Sequence, residues 1–263
     1  MEFIDLKANL RSILTALVIF IPIELVAQEY TVAECKQLKI AGPDEWNQNS
    51  YFDAKNQRHQ GLAYALLDKV SESQQIPYEV LPNLPWKRVL KYAEDGEIDI
   101  IVAVYQSLER ERYIQFSEPF ITNDVKIYVQ KGKEFDYKNF KDLRGKKGLW
   151  AAGASYGDEF DTFAQKLDLI GKANINDLFL YLARGTVDYA IQNSTRATSY
   201  INENGLNDKI VALPKSLLTV PVRFGYSRNS RCGALIEKFK SKYQHMFETG
   251  ELAEFQTNYV ETQ

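Results

Sequence analysis

The sequence predicts an α/β protein built from two short lobes. Its main support is a pattern that occurs twice: an amphipathic helix, a glycine, an aspartate three positions later and a buried strand, at Gly96/Asp99 and at Gly185/Asp188. Helices that alternate with buried strands are typical of α/β folds. With 263 residues and 45% hydrophobic content, the chain can bury a core in each lobe. Because the same pattern repeats, two lobes explain it better than one larger sheet.

The first copy of this pattern is the most regular part of the chain. Residues 86–93 carry apolar side chains at helical spacing. Gly96 ends that helix, because glycine adopts the left-handed C-cap conformation at little cost. Residues 98–104 are almost continuously apolar, which is typical of a strand buried on both faces of a parallel sheet. Residues 105–110 then bring polar and aromatic groups to the carboxyl end of the strand, where ligands bind in open α/β sheets.

The remaining elements follow from the same two periodicities. Strands are predicted at residues 38–41, 78–81, 125–129, 149–151 and 189–192. Helices are predicted at residues 61–70, 177–184 and 233–259, the last of them broken at Gly250. A polar and aromatic loop, residues 42–60, separates the first strand from the first helix.

The first 27 residues have the properties of a secretory signal peptide. Residues 12–27 are apolar and follow Lys7 and Arg11, but the run is short for a membrane span and contains Pro22 and Glu24. We predict cleavage after Ala27 and export to the periplasm, with an uncleaved membrane anchor as the alternative. No second stretch approaches the length of a membrane span.

Charge, histidine and cysteine content exclude several classes of protein. A net charge of −3 without a basic stripe argues against nucleic-acid binding. His59 and His245 lack ligand spacing to the cysteines, so a zinc site is not expected. No cofactor is expected for this protein. Cys35 and Cys232 could pair in an oxidising compartment, or they could be two buried thiols.

Residues 85–120, PWKRVLKYAEDGEIDIIVAVYQSLERERYIQFSEPF, carry an ordered set of motifs. They resemble the helix–Gly-x-x-Asp–strand–(S/T)-x-(E/D)-R–Phe-Ser-x-Pro signature of the bacterial periplasmic solute-binding proteins of the polar amino acid type, family 3. The resemblance implies the periplasmic-binding-protein fold, in which two Rossmann-like α/β lobes are joined by two hinge strands and the ligand lies in the cleft. Lobe 1 would be residues 28–122 and 219–263, and lobe 2 would be residues 123–218.

Other features of the chain's organisation are implied by the same resemblance. The hinge strands would lie near residues 121–126 and 217–222. Because the end of the chain returns to the first lobe in this family, Cys35 and Cys232 would come near each other. A free, monomeric binding protein is the expected form.

Arg110 is the first candidate for ligand binding. A guanidinium can hold a carboxylate through two parallel charge-assisted hydrogen bonds. Arg110 falls on the arginine of the family's (S/T)-x-(E/D)-R motif, which holds the α-carboxylate of the ligand. The alternative is a surface arginine paired with Glu109, Glu111 or Glu118.

Two tryptophans are candidates for stacking on the ligand. Trp86 coincides with the aromatic residue that precedes the helix in the family, and Trp46 lies in the loop that supplies the opposing ring. Together they could enclose a ligand side chain or stack on a cation. The alternative is that both belong to the core of the first lobe, and Tyr51 and Phe52 compete with Trp46 for the loop position.

The segment Gly153-Ala154-Ser155-Tyr156-Gly157 precedes an acidic helix start and gives two further candidates, Ser155 and Tyr156. Backbone N–H groups at a helix start, with a serine hydroxyl, can bind an anion. Ser155 maps onto a hydroxyl residue that closes on the same carboxylate in the family. The segment also matches G-x-S-x-G, the nucleophile elbow of serine hydrolases, but no histidine is suitably placed to act as the base.

Asn193 is the main departure from the family pattern. Amino-acid binders carry an aspartate there, which pairs with the α-ammonium of the ligand. A neutral amide forms no ion pair, so we predict a carboxylate ligand without a free α-ammonium, or with that amine acylated. Tyr105 also departs from the family's small or hydroxylated residue. An acid of the 42–60 loop could replace the missing partner; the candidates are Asp44, Glu45 and Asp53.

The sequence therefore predicts an exported binding protein that closes over a small carboxylate-bearing ligand and leaves it unchanged. The resemblance implies delivery to an ABC permease in the inner membrane. A stand-alone periplasmic sensor subunit that reports to a membrane receptor is the first alternative. The second is a dehydratase-like enzyme on the same fold, with Asp158 or Glu159 as the general acid.

Overall fold

The computed structural model describes residues 35–43, 46, 49–81 and 84–261, so the predicted signal peptide and the alternative membrane anchor lie outside the described residues. Cys35–Gln263 form one compact unit. The strands are β1 Leu38–Ala41, β2 Tyr51–Asp53, β3 Arg58–Gln60, β4 Tyr78–Val80, β5 Ile100–Tyr105, β6 Ile114–Phe116, β7 Ile121–Gln130, β8 Lys147–Ala151, β9 Asp168–Lys172, β10 Tyr189–Asn193, β11 Ile210–Ala212 and β12 Leu218–Ser227. The helices are α1 Leu62–Gln74, α2 Trp86–Asp95, α3 Leu108–Glu111, α4 Asp158–Ala164, α5 Ile175–Ala183, α6 Ser194–Glu203, α7 Gly233–Thr249 and α8 Glu251–Glu261, with a 3-10 helix at Phe140–Leu143. None of the helices in these ranges is long and apolar enough to cross a bilayer.

One 10-stranded mixed sheet organises the fold. Its main path is β4-β1-β5-β12-β7-β10-β8-β9, with β6 paired to β12 and β11 paired to β7. We call β1, β4, β5 and β6 the first sheet half, and β8, β9, β10 and β11 the second sheet half. The long strands β7 and β12 join the halves, because they pair antiparallel from Ile121 opposite Val222 to Val125 opposite Leu218. The two predicted α/β units therefore share a continuous sheet.

The repeated sequence pattern corresponds to a repeated structure. In the first sheet half, Asp99 accepts a hydrogen bond from the backbone N–H of Lys39 at 2.6 Å, and its own N–H donates to the Lys39 carbonyl. In the second, Asp188 makes the same two contacts with Lys147. Each aspartate thus fixes the strand that follows it beside the preceding parallel strand.

The most regular predicted elements are present with small shifts in their ends. The predicted helix at 86–93 is α2, and Gly96 is its left-handed C-cap with φ 74°. The predicted strand at 98–104 is β5, which is buried along its whole length. The prediction that this strand lies in a parallel sheet is only partly right. β5 is parallel to β1 but antiparallel to β12, because β12 returns from the other sheet half. The predicted loop at 42–60 contains the short hairpin of β2 and β3.

A β-bulge interrupts β5 near its carboxyl end. The pairing with β12 shifts between Arg223 and Gly225, so that two residues of β5 oppose one residue of β12. Ala103, one of these two, has a left-handed backbone with φ 57°, which is uncommon for a residue with a side chain. Bulges of this kind are frequent beside functional sites, where they re-aim side chains.

Helices cover both faces of the first sheet half. On one face, Val89 and Ala93 of α2 pack in a cluster with Ile98 and Ile101. On the other, α1 and α7 contribute to the large central cluster, whose fully buried members include Leu66, Leu67, Phe224 and Phe239. A third cluster fills the second sheet half between α5, α6 and the sheet.

Cys35 and Cys232 form a disulfide, with their Cα atoms 5.1 Å apart. Cys35 lies just before β1, and Cys232 is the N-cap residue of α7. The sequence left open whether these cysteines form a disulfide or remain two buried thiols, and the structure has the disulfide. The bridge ties the returning end of the chain to the start of the first sheet half.

We expect Gly96→Ala to destabilise the protein more than Gly145→Ala. Both glycines are left-handed, with φ 74° and 73°, so alanine costs about 1–2 kcal/mol at either position. At Gly96 the added Cβ would also collide with the backbone carbonyl of Asn229, whereas at Gly145 no described atom lies within 4 Å. The collision should lower the free energy of unfolding by about 1–3 kcal/mol more, as measured by urea denaturation. Equal losses in the two variants would contradict this close approach.

Candidate functional site

A cavity of about 110 Å³ lies between the two sheet halves, near the carboxyl ends of β1, β5, β8 and β10. This is the edge where ligands bind in open α/β sheets. The structure brings all seven predicted ligand-binding residues to this one cavity. The residues that line it are Pro43, Trp46, Trp86, Ala103, Tyr105, Arg110, Ala151, Ala152, Ala154, Ser155, Tyr156, Ala173, Gln192, Asn193 and Arg196.

Arg110 occupies the short helix α3, directly after β5. Ser107 caps this helix by accepting the backbone N–H of Arg110. Arg110 is only 4% exposed. Its Nη1 donates to the Tyr105 carbonyl at 2.7 Å, and its Nη2 donates to the Gly153 carbonyl at 3.1 Å. The guanidinium is therefore held between the two sheet halves by backbone carbonyls.

Arg110 forms no salt bridge among the described residues, and the carboxylates of Asp161 and Glu109 act on its charge only from beyond 4.0 Å. Burial lowers the pKa of Arg110, yet a guanidinium stays charged in a protein. In the described part of the chain no carboxylate lies within 4.0 Å of it. Glu111 accepts from Gln106 instead, and Glu118 lies 3.9 Å from Arg223. Because a buried unpaired cation is costly, this arrangement favours an anionic ligand.

Both predicted tryptophans reach the cavity, from different sides. Trp86 is the first residue of α2. Its Nε1 donates to the Gly153 carbonyl at 3.3 Å. The guanidinium carbon of Arg110 lies 5.6 Å from the centroid of the Trp86 ring. The ring of Trp46 packs against Tyr105, with centroids 4.9 Å apart. Neither competitor of Trp46 lines the cavity: Tyr51 and Phe52 belong to the β2–β3 hairpin.

Ser155 and Tyr156 line the cavity, but their donors point elsewhere. The Ser155 hydroxyl donates to one carboxylate oxygen of Asp161 at 2.5 Å. The backbone N–H of Tyr156 donates to the other oxygen at 2.9 Å. The anion-binding groups at the start of α4 are thus satisfied by an internal carboxylate. What Tyr156 presents to the cavity is its ring, 6.1 Å from the ring of Tyr105.

Tyr105 contributes a neutral hydroxyl to the cavity. Its oxygen accepts from Asn123 Nδ2 at 3.1 Å, and Asn123 in turn accepts from Asn49 at 3.2 Å. Burial raises the pKa of Tyr105 to about 12, against smaller lowering effects of the Asn123 and Asn193 amides nearby. The hydroxyl is therefore protonated at neutral pH and is held from the side of β7.

Asn193 and its neighbour Gln192 end β10 at the cavity. The Asn193 side-chain oxygen accepts the backbone N–H of Arg196 at 3.0 Å and so caps α6. The Gln192 side-chain oxygen accepts the backbone N–H of Asn193 at 2.8 Å. Both residues are 3% exposed. The cavity therefore meets a neutral amide at this strand end.

Of the loop acids proposed as substitutes, Asp53 is not available. Its carboxylate binds Asn56 and Gln60 within the β2–β3 hairpin, and it does not line the cavity. Asp44 and Glu45 lie outside the described residues.

Two polar cavity residues, Gln192 and Arg196, were not among the predicted ligand-binding residues. Asn193 was predicted because it matches the family's aspartate position. Adjacent residues of a strand usually point to opposite faces, but at the end of β10 both Gln192 and Asn193 line the cavity. Arg196 belongs to α6, a helix that the apolar periodicity did not reveal.

The geometry does not favour either the serine-hydrolase or the dehydratase alternative. Ser155 is bonded to Asp161 rather than to a histidine, and His59 packs against Phe52 at 5.1 Å. Neither Asp158 nor Glu159 lines the cavity. Within the described ranges, no group of three or more His, Cys, Asp or Glu side chains is arranged to hold a metal ion.

A mixed sheet in two halves with a cavity between them defines the class of periplasmic binding proteins. The chain belongs to the bacterial extracellular solute-binding proteins, family 3, whose model matches residues 38–262. No curated protein matches the chain significantly.

Solved structures support the same fold. A histidine kinase sensor domain with similarity to periplasmic binding proteins has a TM-score of 0.71 at 19% identity, over 86% of this chain and 96% of that one. A mutant of ArgBP from T. maritima has 0.69 at 18% identity, over 86% and 96%. The GluR0 ligand-binding core in complex with L-glutamate has 0.68 at 16% identity, over 86% and 98%.

Proposed function

We propose that this protein binds a small carboxylate-bearing ligand in the cavity between the sheet halves and releases it unchanged. The observation that carries the proposal is Arg110, a buried cation that lines the cavity and has no carboxylate within 4.0 Å among the described residues. A carboxylate would supply the missing negative charge and accept the remaining N–H groups of the guanidinium. Trp46 and Trp86 would cover the apolar part of the ligand.

Binding would be coupled to closure of two lobes. We assign residues 28–122 and 219–263 to lobe 1 and residues 123–218 to lobe 2. The paired segments of β7 and β12 would then serve as the two hinges, and rotation about them opens the cavity. Closing contacts are available on both sides, since Arg110 and Trp86 of lobe 1 bind the Gly153 carbonyl of lobe 2.

The cellular role that we favour is delivery of the ligand to an ABC permease, by a monomer in the periplasm. A sensor subunit that reports to a membrane receptor is the second candidate. It is supported by the similarity to a histidine kinase sensor domain. A tight complex with a permease would support the first role, and a tight complex with a receptor would support the second.

A ligand screen by thermal shift tests the proposed function. The set would contain amino acids, keto acids, polyamines and short peptides. A ligand present at 100 times its dissociation constant stabilises the folded state by about 2.7 kcal/mol, which is readily detected. Stabilisation by carboxylates that is absent in Arg110→Ala is the expected result. Stabilisation by polyamines alone would contradict the proposal.

We also expect the exported protein to begin at Gln28. The apolar run at residues 12–27 is too short and interrupted to span a bilayer comfortably. Intact-mass measurement of the protein from the periplasmic fraction checks this. A full-length amino terminus recovered with the membrane fraction would instead support the anchor.

A further inference from the structure

Gln192 and Asn193 present two buried amide groups whose nitrogens have no hydrogen-bond partner among the described residues. Both residues line the cavity, and each is only 3% exposed. Leaving a buried donor unpaired costs about 1–3 kcal/mol. Such groups are few in native proteins, and each needs an explanation. Two of them side by side in a ligand cavity point to a group on the ligand.

The orientation of both amides is fixed by their neighbours. The oxygen and nitrogen of a side-chain amide are easily exchanged in a structure, but a backbone N–H can only donate. The backbone N–H of Arg196 requires the Asn193 oxygen, and the backbone N–H of Asn193 requires the Gln192 oxygen. The NH₂ groups are therefore the ends left without a partner.

Tyr105 adds a third donor to the same wall. Its oxygen accepts from Asn123, so its hydroxyl hydrogen remains to be donated. The Asn193 amide lies close to this hydroxyl without completing a hydrogen bond to it. Arg196, which lines the cavity as well, has no acceptor atom in its side chain. The wall thus offers donors where a bound ammonium would need acceptors.

We propose that Gln192, Asn193 and Tyr105 form a second subsite, which binds an oxygen atom on the carbon next to the ligand's carboxylate. This rests on the proposed function, with the carboxylate itself on Arg110. The ligand class is then 2-oxo or 2-hydroxy carboxylates, whose oxygen accepts hydrogen bonds. An α-amino acid fits poorly because its ammonium carries three donors and no acceptor.

Matched ligand series test the subsite on the mature protein. Each series keeps the side chain constant and changes only the 2-substituent: an L-amino acid, its 2-oxo acid, its 2-hydroxy acid and the unsubstituted acid. Alanine, glutamate and phenylalanine give three series of different size and polarity. In at least one series, calorimetry on wild type should show the oxo or hydroxy acid binding at least about tenfold more tightly than the amino acid and the unsubstituted acid. A hydrogen bond of about 1.4 kcal/mol corresponds to this factor.

Two nearly isosteric variants sharpen the test. Asn193→Asp and Gln192→Glu each keep the oxygen that accepts the backbone N–H and replace only the NH₂ group, the end without a partner, by an oxygen. Aspartate also remains a good helix N-cap. We expect both variants to bind the preferred acid at least about tenfold more weakly, and Asn193→Asp to gain affinity for the matching amino acid. Arg112→Ala, which changes an exposed side chain outside the cavity, is the control.

The possible outcomes separate this inference from the proposed function. An amino acid that binds wild type more tightly than its oxo and hydroxy counterparts, and needs Arg110 to do so, would overturn the subsite and leave the function standing. If the unsubstituted acid bound as tightly as the oxo and hydroxy acids of its series, the subsite would also be overturned. Binding of no member of any series would overturn both. The wild-type series decides the question even where a variant fails to fold.

Discussion

Arg110→Ala should weaken ligand binding by at least about 2 kcal/mol, which is about thirtyfold. The variant removes the buried cation of the cavity and leaves the ligand's carboxylate without its charge-assisted hydrogen bonds. Arg110→Lys should lose much of the affinity as well, because an ammonium cannot reproduce the planar fork of the guanidinium. Calorimetry with a ligand from the thermal-shift screen measures both effects.

Two controls isolate the binding effect of Arg110. Arg112→Ala removes an exposed arginine of the same segment that lies outside the cavity, and it should bind as wild type does. Arg110→Ala also removes the donor to the Tyr105 and Gly153 carbonyls, so its thermal stability without ligand must be measured separately. Equal affinities of wild type and Arg110→Ala would remove the basis of the proposed function.

Loss of the disulfide should be the largest change in stability. The bridge joins residues 197 positions apart in a chain of 263, so it closes a loop of about three-quarters of the unfolded chain. Chain-entropy arguments give about 5 kcal/mol for a loop of this size, and native disulfides typically contribute about 2–5 kcal/mol. We expect the double variant Cys35→Ala, Cys232→Ala to lose free energy of unfolding in this range. That is a large part of the about 5–15 kcal/mol of a typical domain.

Denaturant titrations with and without a thiol reductant check this expectation. Reductant should lower the unfolding midpoint of wild type toward that of the double variant, and it should leave the double variant unchanged. Equal midpoints of the oxidised wild type and the double variant would show that the bridge adds nothing to stability.

Local patterns were enough to predict the regular elements around residues 85–120. Helical spacing, the C-cap glycine and the apolar strand are properties of consecutive residues, and the structure has them as α2, Gly96 and β5. Several short elements gave no such pattern. β6, β9, β11 and α6 have few residues or an irregular apolar pattern, and they depend on neighbours that are distant in sequence.

The candidate site shows the same division. The arginine motif, the two tryptophans and the strand end at Asn193 could be read from the chain, and the structure brings all of them to one cavity. The motif could not show that Arg110 would be held by the Gly153 carbonyl, 43 positions away. Nor could it show that Asp161 takes the donors of Ser155 and Tyr156.

By itself, the sequence determined the α/β class, the repeated helix–Gly-x-x-Asp–strand unit and the family. Each of these depends on residues close together in the chain, where spacing and backbone preference act directly. Only the tertiary structure decided the antiparallel joining of the halves by β7 and β12, the pairing of Cys35 with Cys232, and the donor wall that includes Gln192. These features depend on which groups from distant parts of the chain come into contact. In particular, they depend on which backbone N–H donates a hydrogen bond to each side-chain oxygen.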